Sequence, residues 1–192
     1  MINMYMNYKN ILSVLDRCDD ISIVKDIINS VNDNQIFSKE WLIESCFKHI
    51  TNTPTVIVGG WYGFLGDMLI SNDMCDDITI CDMDPNCKKF GQQLYPRLKH
   101  STKRMGDIEP NYYNQIICTA CEHITDDELN TFLSKRLDGK LIILQSNNYF
   151  GIDGHINCKQ SLQEFKNSID LTIIDSMELH TSKYNRFMVI GY

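Results

Sequence analysis

A glycine-rich segment in the first half of the chain is the first candidate for binding chemistry. Residues 55–70 read TVIVGGWYGFLGDMLI, where a short apolar run leads into Gly59, Gly60, Trp61 and Gly63. A buried strand followed by a tight glycine turn and a helix lets a ligand approach the backbone and places helix amide groups in front of it. Trp61 stands where such turns often carry another glycine. We expect its indole either to form a wall of a binding pocket or to pack in the core beneath the turn.

Two acidic residues follow the next apolar run. Residues 78–85 read ITICDMDP, so Asp82 and Asp84 stand at the end of a predicted strand. A carboxylate at this point can accept two hydrogen bonds from ribose hydroxyls. The succession of strand, glycine turn, helix, strand and terminal acid therefore predicts a nucleoside-binding site. The alternative is an ordinary tight turn followed by two aspartates that cap a helix.

A cysteine, a glutamate and a histidine stand where a later strand ends. Residues 118–124 read CTACEHI, with Cys121, Glu122 and His123 in succession. A histidine titrates near neutrality and can take a proton from a substrate nucleophile, and a neighbouring glutamate can orient it or bind a substrate amine. Because adjacent residues of a strand point to opposite faces, we expect only one of the pair to enter a pocket. Alternatively, both residues simply begin the turn into the next helix.

The cysteines of this segment have a simpler interpretation. Cys118-x-x-Cys121 has the spacing of half a metal site or of a redox pair. The strand is predicted to be buried, and no second pair follows at a suitable spacing. We therefore expect core cysteines here and no metal.

A polar segment follows the next predicted strand. It contains Asn147, Asn148, Tyr149 and, after two glycines, His155. A loop of this kind can lie over a pocket and supply amide and phenol hydrogen bonds. We interpret these residues, together with the preceding Glu-His pair, as the substrate-recognition group. The alternative is an ordinary polar loop with turn residues.

Hydrophobic periodicity predicts the elements that position these residues. Before residue 53, apolar residues recur at helical spacing, which predicts an N-terminal cap of two or three helices over residues 1–52, one of them capped by Ser38. After Pro54, short apolar runs alternate with longer amphipathic ones. The predicted strands are Thr55–Val58, Ile78–Cys81, Ile116–Ala120, Leu141–Gln145, Leu171–Ile174 and Phe187–Ile190. The predicted helices are Phe64–Ile70, Pro85–Leu98, Thr125–Leu137 and Ser161–Ser168.

This alternation defines the fold class. Strands rich in Val, Ile and Leu and joined by helices are typical of a sheet that is buried on both faces. We predict an α/β fold: a doubly wound, mainly parallel Rossmann-like sheet over residues 53–192, with a terminal antiparallel strand pair and the N-terminal helical cap. In such a sheet, ligands bind outside the carboxyl ends of the strands, where the strand order reverses.

Composition excludes several classes of protein. The 192 residues carry a net charge of −7, which argues against a broad nucleic-acid footprint despite a modestly basic stretch between Lys88 and Lys103. No segment is long and apolar enough to predict a membrane span, and no signal pattern begins the chain. The eight scattered cysteines indicate reduced thiols and a cytoplasmic protein. The oligomeric state has no signature in the sequence.

The order of these segments resembles the class I S-adenosylmethionine-dependent methyltransferase superfamily. The resemblance covers about Thr53 to Tyr192, includes the closing pair DLTIIDSMEL and YNRFMVIGY, and is closest to small methyltransferase-like proteins of phages and bacteria. It implies S-adenosylmethionine as cofactor, with the glycine turn holding its methionine part. It implies ribose binding by Asp82, and contact with the adenine amino group by Asp107 in RMGDIEP. Cys121, at the end of the fourth strand of the family's sheet, is also expected on the cofactor side.

Three departures from the family pattern shape the expected function. Ile57 stands where the first motif usually carries an acid, which removes one carboxylate contact to the cofactor. Trp61 replaces the middle glycine. The Asn/Asp-Pro-Pro-Tyr/Phe signature of amino-methylating nucleic-acid enzymes is absent, and Glu122 and His123 stand in its place as catalytic candidates. We therefore expect a methyltransferase that acts on a small molecule or a peptide.

Other functions are compatible with the same pattern. The cofactor site could serve aminocarboxypropyl transfer or cleavage of the cofactor, because the fold alone does not prescribe methyl transfer. A nicotinamide-dependent oxidoreductase uses a similar sheet, although the terminal antiparallel pair and the G-G-W-x-G turn count against it. A binding module without catalysis is a further alternative.

Overall fold

The computed structural model describes residues 8–192, so the first seven residues of the predicted cap lie outside it. Within the described residues the chain forms seven α-helices and seven β-strands. The helices are α1 (Tyr8–Asp16), α2 (Ile21–Ser30), α3 (Asp33–Cys46), α4 (Phe64–Ser71), α5 (Pro85–Leu94), α6 (Asp126–Ser134) and α7 (Leu162–Asn167). The strands are β1 (Thr55–Val58), β2 (Ile78–Asp82), β3 (Lys99–Thr102), β4 (Gln115–Cys118), β5 (Leu141–Asn147), β6 (Ile173–His180) and β7 (Asn185–Gly191).

All seven strands join one sheet in the order β3-β2-β1-β4-β5-β7-β6. The pairings among β1 to β5 are parallel. β7 runs antiparallel to β5, and β6 runs antiparallel to β7. The predicted fold class is thus confirmed, including the terminal antiparallel pair. Both strands of that pair are longer than predicted, and β6 begins at Ile173, two residues later than predicted.

The edge strand β3 has no counterpart in the predicted set. Its sequence Lys-His-Ser-Thr has no apolar run, and its first and last residues are exposed. An edge strand has a partner on one side only and needs little apolar surface. The preceding helix is shorter than predicted, ending at Leu94 instead of Leu98. Pro96 follows closely, and a proline disfavours helical geometry in the residue before it, so Tyr95 takes φ −130° and ψ 70°.

Two hydrophobic clusters cover the two faces of the sheet. Alternate residues of each strand enter opposite clusters, so that Ile57 joins one and Val56 and Val58 the other. The first cluster also receives the cap helices, which bury their apolar faces directly on the sheet. Their contributions are Ile11 and Val14 from α1, Ile27 from α2, and Leu42, Ile43 and Cys46 from α3.

The third cap helix begins earlier than predicted. Asn32 caps it, since its Oδ1 accepts a hydrogen bond from the Gln35 N–H at 3.0 Å. The prediction that Ser38 caps a helix is wrong: Ser38 lies inside α3 and is buried, and its hydroxyl donates to Gln145 Oε1 at 3.5 Å. Across residues 8–192, no helix has both the length and the apolar character needed to cross a membrane.

Candidate functional site

The strand order reverses between β1 and β4, and the carboxyl ends of these strands form the candidate site. From β1 the chain continues through β2 to β3 on one side, whereas β4 is followed by β5 on the other. The chain therefore leaves β1 and β4 toward opposite sides of the sheet, and open α/β sheets bind ligands in the crevice outside the carboxyl ends of the strands at such a reversal. The sequence-predicted residues divide between the two sides of this crevice.

The glycine turn, residues 59–63, uses backbone geometry that few side chains tolerate. Gly59 has φ 61° and Gly63 has φ 105°. A Cβ on Gly63 would lie 2.8 Å from Leu98 Cδ1, and one on Gly59 would lie 3.0 Å from Ala120 Cβ, just beyond β4. Glycine at these two positions is thus required by the packing of the protein itself.

Hydrogen bonds within the protein hold this turn in place. The N–H groups of Gly59 and Gly60 donate to the Cys81 carbonyl at 2.9 and 3.3 Å. The N–H of Gly63 donates to the Gly60 carbonyl at 3.0 Å. These amides are therefore engaged before any ligand arrives. The first-turn amides of α4, which begins directly after Gly63, are the donors that a helix presents to a ligand.

Asp82 connects the glycine turn to the end of β2. Its Oδ2 accepts from the Trp61 N–H at 2.9 Å, and its Oδ1 accepts from the Asp84 N–H at 3.1 Å. The Cys87 thiol also hydrogen-bonds to this carboxylate. Because a carboxylate offers about four lone-pair sites, Asp82 keeps part of its capacity to accept further hydrogen bonds. The side chain is only half-buried at the crevice.

The other predicted acids differ from Asp82 in their surroundings. Asp84 is the N-cap of α5, where its Oδ1 accepts from the Asn86 N–H at 2.8 Å. Asp107 is exposed on a short 3₁₀ turn, Met105–Asp107, beyond β3. Only Asp82 therefore forms a direct link to the glycine turn among these three.

Trp61 fastens the helical cap to the glycine turn. It is the one residue of the turn other than glycine with positive φ, at 53°. Its indole Nε1–H donates to Asp26 Oδ2 on α2 at 2.8 Å, and the neighbouring Tyr62 hydroxyl donates to the same oxygen at 2.8 Å. The two rings stack with centroids 6.1 Å apart. The indole is part of the contact between cap and sheet.

On the other side of the crevice, the segment after β4 is a 3₁₀ turn, Cys121–His123, and not a strand. The prediction that only one of Glu122 and His123 can enter the site is wrong, because the alternation of a strand does not apply to a helical turn. Both side chains point to a common region with His155. Cys121 differs from them, since its side chain is 1% exposed and packs in the second cluster, as Cys118 does. The hydrogen bond with the Cys118 thiol, and secondarily burial, raises the pKa of Cys121.

Glu122 is a buried carboxylate held between two strands. Its Oε1 accepts from Asn147 Nδ2 of β5 at 2.6 Å and lies 3.9 Å from Arg186 Nη2 of β7. The side chain of Arg186 is also buried, and its Nη1 donates to the Thr119 carbonyl at 3.3 Å. Within the described part of the chain, Glu122 Oε2 and Arg186 Nε have no hydrogen-bond partner. This group retains unsatisfied polar capacity, which is uncommon in a folded interior.

Two histidines lie beside Glu122. One ligand atom from each of Glu122, His123 and His155 lies within 4.8 Å of the other two. His123 Nδ1 is 2.8 Å from the Gly154 carbonyl, and His155 Nδ1 is 2.9 Å from the Tyr149 carbonyl. Carbonyl oxygens only accept hydrogen bonds, so each Nδ1 carries a proton, and in the neutral form of each ring the lone pair is on Nε2. We call Glu122, His123 and His155 the acid–histidine cluster.

Three solved structures have the same architecture. The N-methyltransferase NodS from Bradyrhizobium japonicum WM9, in complex with S-adenosyl-L-homocysteine, matches with a TM-score of 0.67 at 9% identity over 97% of both chains. Magnesium protoporphyrin IX methyltransferase (ChlM) from Synechocystis PCC 6803, with bound S-adenosylmethionine, matches with a TM-score of 0.60 at 12% identity over 97% of this chain and 92% of that one. Ribosomal protein L11 methylase from Lactobacillus delbrueckii subsp. bulgaricus matches with a TM-score of 0.61 at 10% identity over 82% and 78%. No protein-family model matches the chain, and no curated protein sequence matches it significantly.

This chain has the class I methyltransferase fold. The resemblance stated from the segment order is confirmed at the level of the fold.

In the polar segment after β5 of this methyltransferase fold, Asn148 has a structural role, and Tyr149 and His155 take part in contacts between rings. Asn148 continues the pairing of β5 with β7, since its N–H donates to the Asn185 carbonyl at 3.1 Å and its Oδ1 accepts from the Asn185 N–H at 2.6 Å. Tyr149 stacks on Tyr184 with ring centroids 4.9 Å apart. The His123 and His155 rings meet edge to face at 4.8 Å.

The cap adds a lysine to the methyltransferase fold close to Glu122. Lys39 of α3 donates from Nζ to Gln35 Oε1 at 2.6 Å, and Nζ lies 6.0 Å from the centre of the Phe64 ring. Burial, and secondarily the Arg186 charge, lowers the pKa of Lys39 to about 7, although the Glu122 carboxylate opposes the shift.

Four residues of this region escaped the sequence analysis: Asp26, Lys39, Tyr184 and Arg186. Arg186 had a signal, because it is the one charge in the apolar strand NRFMVIG, and a charge in a buried strand needs a partner. Asp26 and Lys39 had none, since both stand in helices among other charged residues and only the packing of the cap brings them to the sheet.

Proposed function

We propose that this protein is an S-adenosylmethionine-dependent methyltransferase. The observation that carries the proposal is the crevice between β1 and β4, bounded on one side by the glycine turn with Asp82 and on the other by the acid–histidine cluster. A nucleoside cofactor and an acceptor can meet there from opposite sides. The fold, shared with structures that bind S-adenosylmethionine or S-adenosyl-L-homocysteine, supports this choice of cofactor.

We assign the cofactor to the side of the crevice formed by β1 and β2. The glycine turn formed by Gly59, Gly60 and Gly63 would hold its methionine part, and the first-turn amides of α4 would face its carboxylate. Asp82 would accept the ribose hydroxyls with its free lone pairs. Asp107 would contact the adenine amino group.

Three residues expected on the cofactor side receive other roles. Asp84 is better explained as the cap of α5, because its carboxylate is already engaged there. Trp61 anchors the cap through Asp26. The side chain of Cys121 belongs to the core, so only its backbone could face a cofactor.

The acceptor would lie on the side of the acid–histidine cluster. Methyl transfer forms a bond from the acceptor to the methyl carbon as the carbon–sulfur bond breaks, so alignment supplies most of the rate. His123 is exposed, and its Nε2 lone pair is available to take the acceptor's proton. Glu122 would orient the cluster, held in place by Asn147. His155 and Tyr149 would contact the acceptor.

The acceptor is proposed to be a small molecule or a peptide. The loop beside His155 exposes the apolar side chains of Phe150, Ile152 and Ile156, which suit an acceptor with an apolar part. The net charge of −7 disfavours DNA or RNA as the substrate. A cytoplasmic location is part of the proposal, because all eight cysteines are free thiols.

Calorimetric titration of the full chain with S-adenosylmethionine, S-adenosyl-L-homocysteine and NADH tests the proposal. We expect micromolar binding of the first two and none of NADH. Asp82→Asn should weaken S-adenosylmethionine binding by about 1–3 kcal/mol, because a neutral amide replaces the charged acceptor. Asp77→Asn, just before the same strand at its opposite end, is the matched control and should bind as the wild type does. Binding of NADH alone would refute the proposal.

The same protein can separate methyl transfer from other uses of the cofactor. Incubation with S-adenosylmethionine and a library of small-molecule and peptide acceptors should yield S-adenosyl-L-homocysteine, as chromatography would detect. Accumulation of methylthioadenosine instead would assign aminocarboxypropyl transfer or cofactor cleavage.

A further inference from the structure

We propose that the acid–histidine cluster is a binding site for one divalent transition-metal ion. The donor set is two imidazoles and one carboxylate, which suits ions such as Zn²⁺, Co²⁺ and Fe²⁺. Mg²⁺ and Ca²⁺ prefer sites made of oxygen atoms, so they do not fit a site with two imidazole nitrogens.

The orientation of the two histidines is the first argument. A metal-bound histidine usually donates its other ring N–H to a carbonyl or carboxylate, which fixes the tautomer and the direction of the free lone pair. Both histidines have this arrangement, through the Gly154 carbonyl for His123 and the Tyr149 carbonyl for His155. The two Nε2 lone pairs are therefore prepared for a ligand.

The state of Glu122 is a second and independent argument. Its side chain is 5% exposed, and Oε1 is occupied by Asn147 Nδ2 and faces Arg186. Oε2 is buried and has no hydrogen-bond partner within residues 8–192. A buried carboxylate oxygen without a partner costs free energy unless something else satisfies it. A cation held jointly with the two imidazoles would do so.

The distances allow the three groups to close on an ion. Bonds of about 2.0–2.2 Å in tetrahedral geometry place ligand atoms about 3.3 Å apart. The three ligand atoms lie within 4.8 Å of one another, so they must approach by roughly 1–1.5 Å. His155 belongs to a loop between β5 and α7 without regular secondary structure, and this loop can supply the movement.

Three protein ligands leave a coordination position open. An ion in such a site lowers the pKa of a coordinated water or acceptor hydroxyl. With the His123 lone pair bound to the ion, this effect would replace His123 as the means of deprotonating the acceptor. This consequence rests on the proposed methyl transfer, whereas the binding of the ion does not.

Titration of the full chain with Co²⁺, followed by optical absorption, tests the site. Wild-type protein should bind one Co²⁺ with the d–d bands of nitrogen and oxygen ligation and without a thiolate charge-transfer band. Zn²⁺ should displace it, and excess Mg²⁺ should not. His123→Ala and His155→Ala should each weaken binding at least about 100-fold, since each removes one of three ligands. His180→Ala, an exposed histidine of β6, and Cys158→Ser, a thiol close to His155, should bind as the wild type does.

The variants are chosen so that misfolding does not obscure the result. His123 is exposed, so its removal should leave the circular dichroism spectrum and S-adenosyl-L-homocysteine binding unchanged. Binding that survives in His123→Ala, a thiolate band, or no Co²⁺ and Zn²⁺ binding at all would each overturn the metal site. If the protein binds S-adenosyl-L-homocysteine but no metal, the metal site is refuted and the proposed function stands. If it binds metal but no S-adenosyl-L-homocysteine, the proposed function is refuted and the metal site stands.

Discussion

The two sides of the crevice satisfy their polar groups in different ways. At the ends of β1 and β2, both oxygens of Asp82 accept backbone N–H groups, and the turn amides have partners within the fold. At the ends of β4, β5 and β7, Glu122, Arg186 and Lys39 bring three ionisable groups into a region of limited solvent. Among the described residues, Glu122 Oε2, Arg186 Nε and Ser146 Oγ lack partners there, whereas on the glycine-turn side the unpartnered buried atoms are the two ring nitrogens of His100, a residue of β3 that packs against Gly63.

Under the proposed function, this difference corresponds to a division between cofactor binding and chemistry. A site for an invariable cofactor gains from a rigid backbone frame, and the glycine turn is such a frame even without ligand. Unsatisfied buried groups and shifted pKa values cost stability and concentrate where chemistry is done. Variants that remove one group at a time test this contrast.

Glu122→Ala should give the largest loss of stability. It leaves the Arg186 guanidinium buried without its carboxylate, which typically costs about 3–5 kcal/mol. Urea unfolding followed by circular dichroism measures the loss. The matched control is Asp77→Ala, which breaks the exposed pair of Asp77 with Lys99 and should cost under about 1 kcal/mol. Equal losses in the two variants would mean that Arg186 does not depend on Glu122.

The same contrast explains what could be predicted from the sequence. The glycine turn and Asp82 follow from local spacing along one strand-turn-helix-strand segment, and the structure joins them directly. The environment of Glu122 depends on Arg186, 64 residues later in the sequence, and Lys39, 83 residues earlier. Such contacts arise only from tertiary packing. The edge strand β3 was missed for another reason, because its polar sequence has no strand periodicity.

Asp26→Ala should give the next largest effect, now on the cofactor side. One carboxylate oxygen accepts from both the Trp61 indole and the Tyr62 hydroxyl, and hydrogen bonds to a charged group contribute about 1.5–3 kcal/mol. We expect a loss of about 2 kcal/mol in the free energy of unfolding and weaker S-adenosylmethionine binding, because the turn loses its anchor. Asp16→Ala on α1 is the control and should change neither quantity. Unchanged cofactor affinity in Asp26→Ala would show that the turn keeps its shape without the cap.

Lys39→Met should change the free energy of unfolding in the opposite direction and stabilise the protein. The pKa of Lys39 is about 7 in the folded chain and near 10.5 when unfolded, so the unfolded chain binds more protons between these values. The loss of stability caused by burying the charged Lys39 is therefore complete below pH 7 and disappears as the pH rises toward 10.5. Because the side chain is partly exposed, we expect a gain of about 1–3 kcal/mol at pH 7.

Urea unfolding of Lys39→Met and wild type at pH 6, 7, 8 and 9 measures this effect. The difference between the two proteins should shrink with rising pH. Lys25→Met, an exposed lysine of α2, is the control and should show no such trend. A constant difference across the series would mean that Lys39 titrates normally and that this side of the crevice carries less strain than we infer.

Asp84 offers the smallest effect and the sharpest test of the cofactor side. Its carboxylate accepts the Asn86 N–H as the cap of α5, so Asp84→Ala should cost about 1 kcal/mol of stability. Asp84→Asn should cost almost nothing, because asparagine caps helices as well as aspartate does. If the ribose is bound by Asp82 alone, calorimetry should give nearly unchanged S-adenosylmethionine affinity in both variants. Asp84→Asn preserves the cap and removes only the charge. A tenfold loss of S-adenosylmethionine affinity in this variant would mean that Asp84 also binds the cofactor. Asp82 would then be only half of the ribose site.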